Sequence, residues 1–469
     1  MSTVSKSRLP LSIALFVMGL CMKLEKYSGN RVRTEILMCS DYPLSDLKTI
    51  ALTSMICTMK LISQYKGLRR EIYILFFGRI VTSLGSMVWP LLTLILSRKL
   101  GMNATQIAMI TILSGIAFLP ASVIGGKLAD KFNKKMVIVW CDLISIFFYI
   151  TCAIIPVSIR TVIMIMIAGA CQQLEYPAYN SLVADLTLSS DRERAYSLEY
   201  LGMNMGLVFA PTIAGFLFEN HLWVAFLTSG ISISISTLLI FILIKDITPI
   251  EESNDASEYQ KRQDNVSIFQ ILRKNKLIIL YAFIMMLYWG AYGQYGYLMP
   301  LDMGKLHGEN GAVIYGSVSS LNSIIVVVCT PIMTRLFRKV FPTKKALLGH
   351  IFLLLGFLTF LLFRGHVPFY YVAMFLFTIG EIMTTFVEGP YLTTRIPASH
   401  RGRINGIMSI AQSVLSGMMM LTLGQLYDNV GPSSAWSLVL GILGVSLVLC
   451  LLLIVLDRKA YPALYKKTE

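Results

Sequence analysis

Gly125-Gly126-Lys127-Leu128-Ala129-Asp130-Lys131-Phe132-Asn133-Lys134-Lys135 is a short charged turn between two apolar runs, 104–124 and 136–156. A helix rising about 1.5 Å per residue needs about 20 such residues to cross ~30 Å of hydrocarbon. The stretch therefore reads as the closing turn of a hairpin of two membrane-crossing helices. The rest of the chain can be placed by working outward from it.

The composition agrees. Of 469 residues, 55% are hydrophobic and only 14% charged, against roughly 25% charged in a soluble domain; mean hydropathy is +0.67. These values point to a polytopic membrane protein of all-α class. The net charge of +15 brings no nucleic-acid motif with it. Retention of Lys and Arg on one side of a membrane accounts for it, and no nucleic-acid partner is expected. The eight cysteines form no C-x-x-C and fall mostly in apolar runs, and the five histidines are scattered without H-E-x-x-H. Neither a disulfide frame nor a metal site is expected.

Twelve spans are predicted, at 72–96, 104–124, 136–156, 161–183, 197–218, 222–244, 277–300, 313–334, 346–363, 369–392, 405–426 and 434–456. They divide into a six-helix bundle over 71–246, a polar linker over 247–276, a second six-helix bundle over 277–457 and a tail over 458–469. Residues 1–70 are an extension read in two ways, as an amphipathic segment or as a consequence of translation starting at Met59. Twenty-four Lys and Arg fall in loops and tail on one side and five on the other. The positive-inside rule then makes the opening turn, the linker and both termini cytoplasmic. The two sets of six also echo each other: Glu175-Tyr176-Pro177 precedes Arg192-Glu193-Arg194, and Glu388-Gly389-Pro390 precedes Arg401-Gly402-Arg403. Two repeats suit a carrier with its site between the halves.

With these features, the sequence resembles the major facilitator superfamily, and in particular the bacterial twelve-span drug:proton antiporters. The stretch 126–135 is similar to the superfamily's G-x-L-a-D-r-x-G-r-k signature. Asn133 stands where Gly is usual, a mild departure if the turn is left-handed, since Asn also tolerates that conformation. The resemblance implies that Gly126, Asp130, Lys131, Lys134 and Lys135 form a gating latch between the halves. Asp130 can cap the N-terminus of a neighbouring helix; the lysines alone would equally serve topology. A second stretch, Gly202-Met203-Asn204-Met205-Gly206-Leu207-Val208-Phe209-Ala210-Pro211-Thr212-Ile213-Ala214-Gly215, is similar to the antiporter pattern G-x-x-x-G-P-x-x-G-G. Gly202, Gly206, Ala210, Pro211 and Gly215 carry that likeness. Ordinary small-residue helix packing explains the same spacing.

Charges within spans cost at least ~2.5 kcal/mol each near the centre, so each needs a reason. Glu175 and Glu381 lie deepest and are the first choices for proton carriers, because low dielectric favours the neutral form of a carboxyl. Arg79 and Asp142, about two turns from a helix end, can snorkel or pair. Glu388 reads equally well as a helix-end charge, and Glu199 is discounted for lying nearer the end still. Tyr288, Tyr292, Gln294 and Tyr295 are candidates for lining a cargo cavity, and Tyr297 for an interfacial belt.

The expectation is a proton-coupled exporter of small lipophilic or cationic compounds, working by alternating access as a monomer in the plasma membrane. Its partners would be substrate, protons and lipid; the proton gradient would supply energy, without a cofactor. A carrier for a defined metabolite is the alternative, and a non-transporting sensor a further one. No nucleophile constellation or catalytic domain supports an enzyme.

Overall fold

The computed structural model describes residues 65–244, 276–337, 340–393, 395 and 398–462. The predicted segment 1–64, almost all of the linker and the last residues of the tail lie outside this range. Every regular element in it is helical. The first half contains α1 (Arg70–Leu84), α2 (Val88–Leu94), α3 (Ala104–Lys131), α4 (Lys134–Ile154), α5 (Ile159–Asp185), α6 (Ser189–Leu207), α7 (Ala210–Leu217) and α8 (Leu222–Leu243). The second contains α9 (Lys276–Tyr292), α10 (Leu298–His307), α11 (Gly311–Leu336), α12 (Pro342–Leu362), α13 (Val367–Thr393), α14 (Ala398–Asn429) and α15 (Pro432–Ala460).

Among the described residues, ten helical stretches are long and apolar enough to cross a membrane. One of them, Lys276–Leu336, has 61 residues, about three times what a bilayer needs. It reverses at Gly308, whose φ of +54° suits only glycine, so that α10 packs back on α11. A count of twelve is reached by dividing this stretch and adding α5. That helix has 27 residues, with Gln172, Gln173, Glu175 and Asn180 lowering its hydropathy, and packs against α3 and α4.

Apolar stripes face outward at helical spacing: Met109, Leu113, Ile116 and Val123 on α3, and Val445, Val448, Leu452 and Val455 on α15. In water such patches would drive aggregation; in lipid they are the outer surface. Helix ends follow local chemistry. Asn103 caps α3 by accepting from Gln106 N at 2.8 Å, while Asn103 N donates to Gln106 Oε1 at 3.1 Å, a reciprocal capping box.

The opening turn is tight for a reason other than the one predicted. Asn133 has φ −60° and is not left-handed. It is the N-cap of α4, accepting from Met136 N at 3.4 Å. The close approach is made by Gly125, where a Cβ would lie 2.0 Å from the Leu174 carbonyl oxygen; Gly126 has open space around it.

Between the halves, α3 packs on α14, α6 and α7 on α11, and α2 on α10 and α11. The bonds across this interface cluster at the end opposite the basic turn. Thr93 Oγ1 donates to Gly296 O at 2.8 Å, Tyr297 Oη to Ala104 O at 2.6 Å and Thr212 N to Ser320 Oγ at 3.2 Å. Tyr297 is therefore not a belt residue: it is 1% exposed and ties the two halves together.

Candidate functional site

Two polar groups sit inside the apolar helices, one in each half. In the first half, α1 supplies Arg79, α4 Asp142, α5 Glu175 and Tyr179, α6 Glu199 and α8 Thr237. Glu175 and Tyr179 are one helical turn apart and share a face. The Arg79 guanidinium lies 4.6 Å above the Tyr179 ring, and its Nε is 3.8 Å from Glu199 Oε2. Tyr179 Oη donates to that same oxygen at 2.7 Å. Thr237 Oγ1 donates to Asp142 Oδ2 at 2.6 Å. Asp142 and Glu175 lie close to each other and within electrostatic reach of Arg79.

One guanidinium faces three carboxyl groups here, and unpaired charges are costly in a low-dielectric interior. Arg79 and Asp142 do not snorkel; each is paired within the bundle. Glu199, passed over in the sequence because it lies near a helix end, is only 6% exposed, and its Oε1 has no hydrogen-bond partner.

In the second half the group is centred on Glu381 of α13. Asn322 Nδ2 of α11 donates to Glu381 Oε2 at 2.8 Å and to Thr378 Oγ1 at 2.9 Å. Tyr292 lies beside Glu381, and its ring stacks on Phe377 at 4.8 Å. Tyr295 lies 5.2 Å from Phe377 and 5.9 Å from Tyr315, ring to ring. Tyr200 of α6 approaches Glu381 from the other half. Tyr292 and Tyr295 therefore surround a carboxyl with aromatic faces. Tyr288 packs behind them, fully buried against His350 at 4.8 Å yet within electrostatic reach of Glu381, and Gln294 Nε2 bonds back to Gly290 O at 2.9 Å. Glu388 lies two turns along α13, beside Tyr281.

The basic turn makes its contacts within the first half. Lys134 pairs with Asp185, and Lys135 Nζ donates to Ile244 O at 2.7 Å. Lys131 covers the Phe132 ring at 5.6 Å. Asp130 is exposed, with no hydrogen bond or ion pair among the described residues.

The glycine-rich stretch of the fifth predicted span divides in two. Gly202 and Gly206 let α6 approach α1, since a Cβ would lie 2.8 Å from Phe76 or 2.6 Å from Ile80 O. Ala210 is buried, and the helix breaks at Val208–Phe209, with Pro211 in the first turn of α7. Thr212 N is then free to bond Ser320 of the other half. A Cβ on Gly215 would lie 2.5 Å from Ala312 O, and one on Gly316 2.1 Å from Pro211 O. Gly316→Val is accordingly expected to separate the halves at this end. A thiol probe reaching Cys introduced at Thr212 or Ser320 faster than in the parent background would register the separation; an unchanged rate would contradict it.

Two further buried pairs were not legible in the sequence. Arg364 Nε and Nη2 donate to the two oxygens of Asp302, each at 2.6 Å. Arg395 Nη2 and Nε donate to Asp457 at 2.6 and 3.0 Å, with the guanidinium over the Tyr391 ring at 3.9 Å. Each joins residues about 60 positions apart, and no local pattern links them.

Known proteins were compared with this arrangement. Solved structures share the architecture: a mutant of the peptide transporter POT in complex with alafosfalin superposes with a TM-score of 0.69, covering 84% of this chain and 95% of that one at 16% identity. That likeness is one of fold alone. A Na(+), Li(+), K(+)/H(+) antiporter of Planococcus maritimus is 24% identical over 383 residues, 75% of this chain and 86% of that protein. The quinolone resistance protein NorA of Staphylococcus aureus is 24% identical over 182 residues, covering 38% of this chain and 46% of NorA. The family model described as Major Facilitator Superfamily matches residues 75–419. Taken with the helical membrane fold, this match makes the chain a member of the major facilitator superfamily of transporters.

Proposed function

We propose that the protein is a proton-coupled antiporter that exports a small lipophilic or cationic compound by alternating access. One observation carries the reading: two separate acidic groups sit among the helices of the two halves, Asp142 and Glu199 buried and Glu175 and Glu381 half-buried, each group with different surroundings. The first, Asp142–Glu175 with Arg79 and Glu199, sets three carboxyl groups against one guanidinium, the arrangement of a proton store. The second, Glu381 among Tyr292, Tyr295 and Phe377, pairs a carboxyl with aromatic faces, the combination that attracts a lipophilic cation. Releasing a proton from the first group leaves an uncompensated charge in lipid, which favours a change of conformation. The one-sided basic loops favour a cytoplasmic turn at 125–135 and a cytoplasmic C-terminus. The halves, joined at the opposite end, then present the cytoplasm-facing state.

A second reading follows from the longer of the two sequence matches, that with the Planococcus antiporter. There the cargo would be an alkali cation exchanged for protons. The two are separated in proteoliposomes loaded with a pH-sensitive dye. Proton movement on adding aromatic cations, but not Na+, K+ or neutral dipeptides, is expected for the first reading. A response to Na+ or K+ alone selects the second, and a response to none of these cations sinks both.

A further inference from the structure

The sequence G-x-L-x-D closes two helices. Gly126-Lys127-Leu128-Ala129-Asp130 ends α3, and Gly424-Gln425-Leu426-Tyr427-Asp428 ends α14. Each aspartate is the penultimate residue of its helix. A carboxylate is unfavourable there, because it adds to the negative end of the helix dipole. The position makes sense if each carboxylate serves a different helix.

α3 and α14 come from opposite halves and run antiparallel. Ile112 meets Gly417, and further along Ala104 meets Asp428. The C-terminus of each therefore lies at the N-terminal end of the other. Asp428 occupies that position fully. Its Oδ1 accepts from Ala104 N at 3.1 Å, and its Oδ2 accepts from Thr105 N at 2.8 Å and Thr105 Oγ1 at 2.7 Å. Tyr297 Oη adds a bond to Ala104 O at 2.6 Å. Gly424 makes room, since a Cβ there would lie 2.4 Å from the Tyr297 hydroxyl and 3.2 Å from Ala104. Asp130, at the basic end, is exposed and has no such bond among the described residues.

The pattern alone does not create a cap. Gly215-Phe216-Leu217-Phe218-Glu219 ends similarly beside α11, but Glu219 is held by Arg98 and Lys99 of its own half, at 3.5 and 3.2 Å. Asp428 has no competing cation in the structure and takes backbone donors instead.

We propose that Asp428 is a clasp residue: it holds the halves closed at the end opposite the basic turn by capping α3 and must let go before that end opens. Asp130, which the family resemblance already assigns to a latch at the basic end, is exposed in this state. The proposal rests on the alternating-access reading and adds to it the residue that times the opening.

The experiment places spin labels at Met102→Cys and Val430→Cys, in a background with the native cysteines replaced, and measures their separation in lipid vesicles without cargo. Asp428→Asn is expected to shift the ratio of open to closed populations about tenfold toward open, the scale of removing a carboxylate from a helix N-terminus. Asp428→Glu, which keeps the charge, falls between. An unchanged distribution in Asp428→Asn overturns the proposal. Should that variant fail to fold, Thr105→Val, which removes one of the three bonds, is expected to shift the ratio in the same direction by a smaller factor, and no shift there overturns it equally. The labels report closure without any cargo. A negative transport assay would therefore count against the exporter reading and leave the clasp standing.

Discussion

Replacing Glu175 by Gln is expected to abolish gradient-driven export while leaving cargo exchange intact. Gln fills the same volume and keeps a hydrogen-bonding end group, so the bundle keeps its packing. It cannot release a proton. With Asp142 and Glu175 no longer able to trade one, the first-half cluster has a fixed charge throughout the cycle, and the conformational change loses its coupling to pH. Export driven by an imposed pH gradient in proteoliposomes should fall to the level of protein-free vesicles. Exchange of labelled for unlabelled cargo at equal pH should continue near the unsubstituted rate. A purely structural role would lower both together. Retained gradient-driven export would remove the Asp142–Glu175 pair from the mechanism.

The second large effect is on stability. Asp302 is fully buried and receives both donors of Arg364, with further contacts from Trp436 Nε1 at 3.3 Å and Tyr427 Oη at 3.5 Å. Removing one partner of a buried ion pair strands the other charge, at a cost of about 3–5 kcal/mol. Arg364→Ala is expected to lower the thermal unfolding midpoint in detergent sharply. Adding Asp302→Asn should recover part of the loss, because the stranded charge disappears. The hydrogen bonds that Arg364 donates to Asp302 raise its guanidinium above its already high ordinary value. A raised value in the folded state gives stability that is fully present below the unfolded value, so the Arg364→Ala loss should be the same at pH 6 and pH 9. If the double variant is as unstable as the single, the loss comes from packing and not from charge.

The helical membrane fold was readable because its signals are local. The apolar runs around 125–135, the polar breaks and the one-sided basic loops each lie within about 20 contiguous residues, the length one lipid crossing requires. The acidic residues of the site were readable for a similar reason: Glu175 and Glu381 interrupt apolar runs, and that interruption is costly wherever it occurs. Their roles were less legible. Glu199 and Asp142 look alike in sequence, each a carboxyl some way from a helix end. Only the packing of α1, α4, α5 and α6 shows that both face Arg79. Tyr288, Tyr292, Gln294 and Tyr295 lie within eight residues, yet the helix phase and the break at Gly293–Tyr295 set Tyr292 and Tyr295 on Phe377, Tyr288 on His350 and Gln294 on its own backbone.

By itself, then, the sequence determined a chain built from membrane-crossing helices, the side its basic loops favour, and which residues are too expensive to be in lipid without a purpose. Tertiary structure decided which of those residues meet. It placed Asp142 beside Glu175, set tyrosines around Glu381 and brought Asp428 to the N-terminus of α3, more than 300 positions away. The physical reason is that hydrophobicity is summed along a segment, whereas a hydrogen bond or an ion pair depends on two atoms coming within about 3 Å. No linear pattern encodes that distance until the helices have packed.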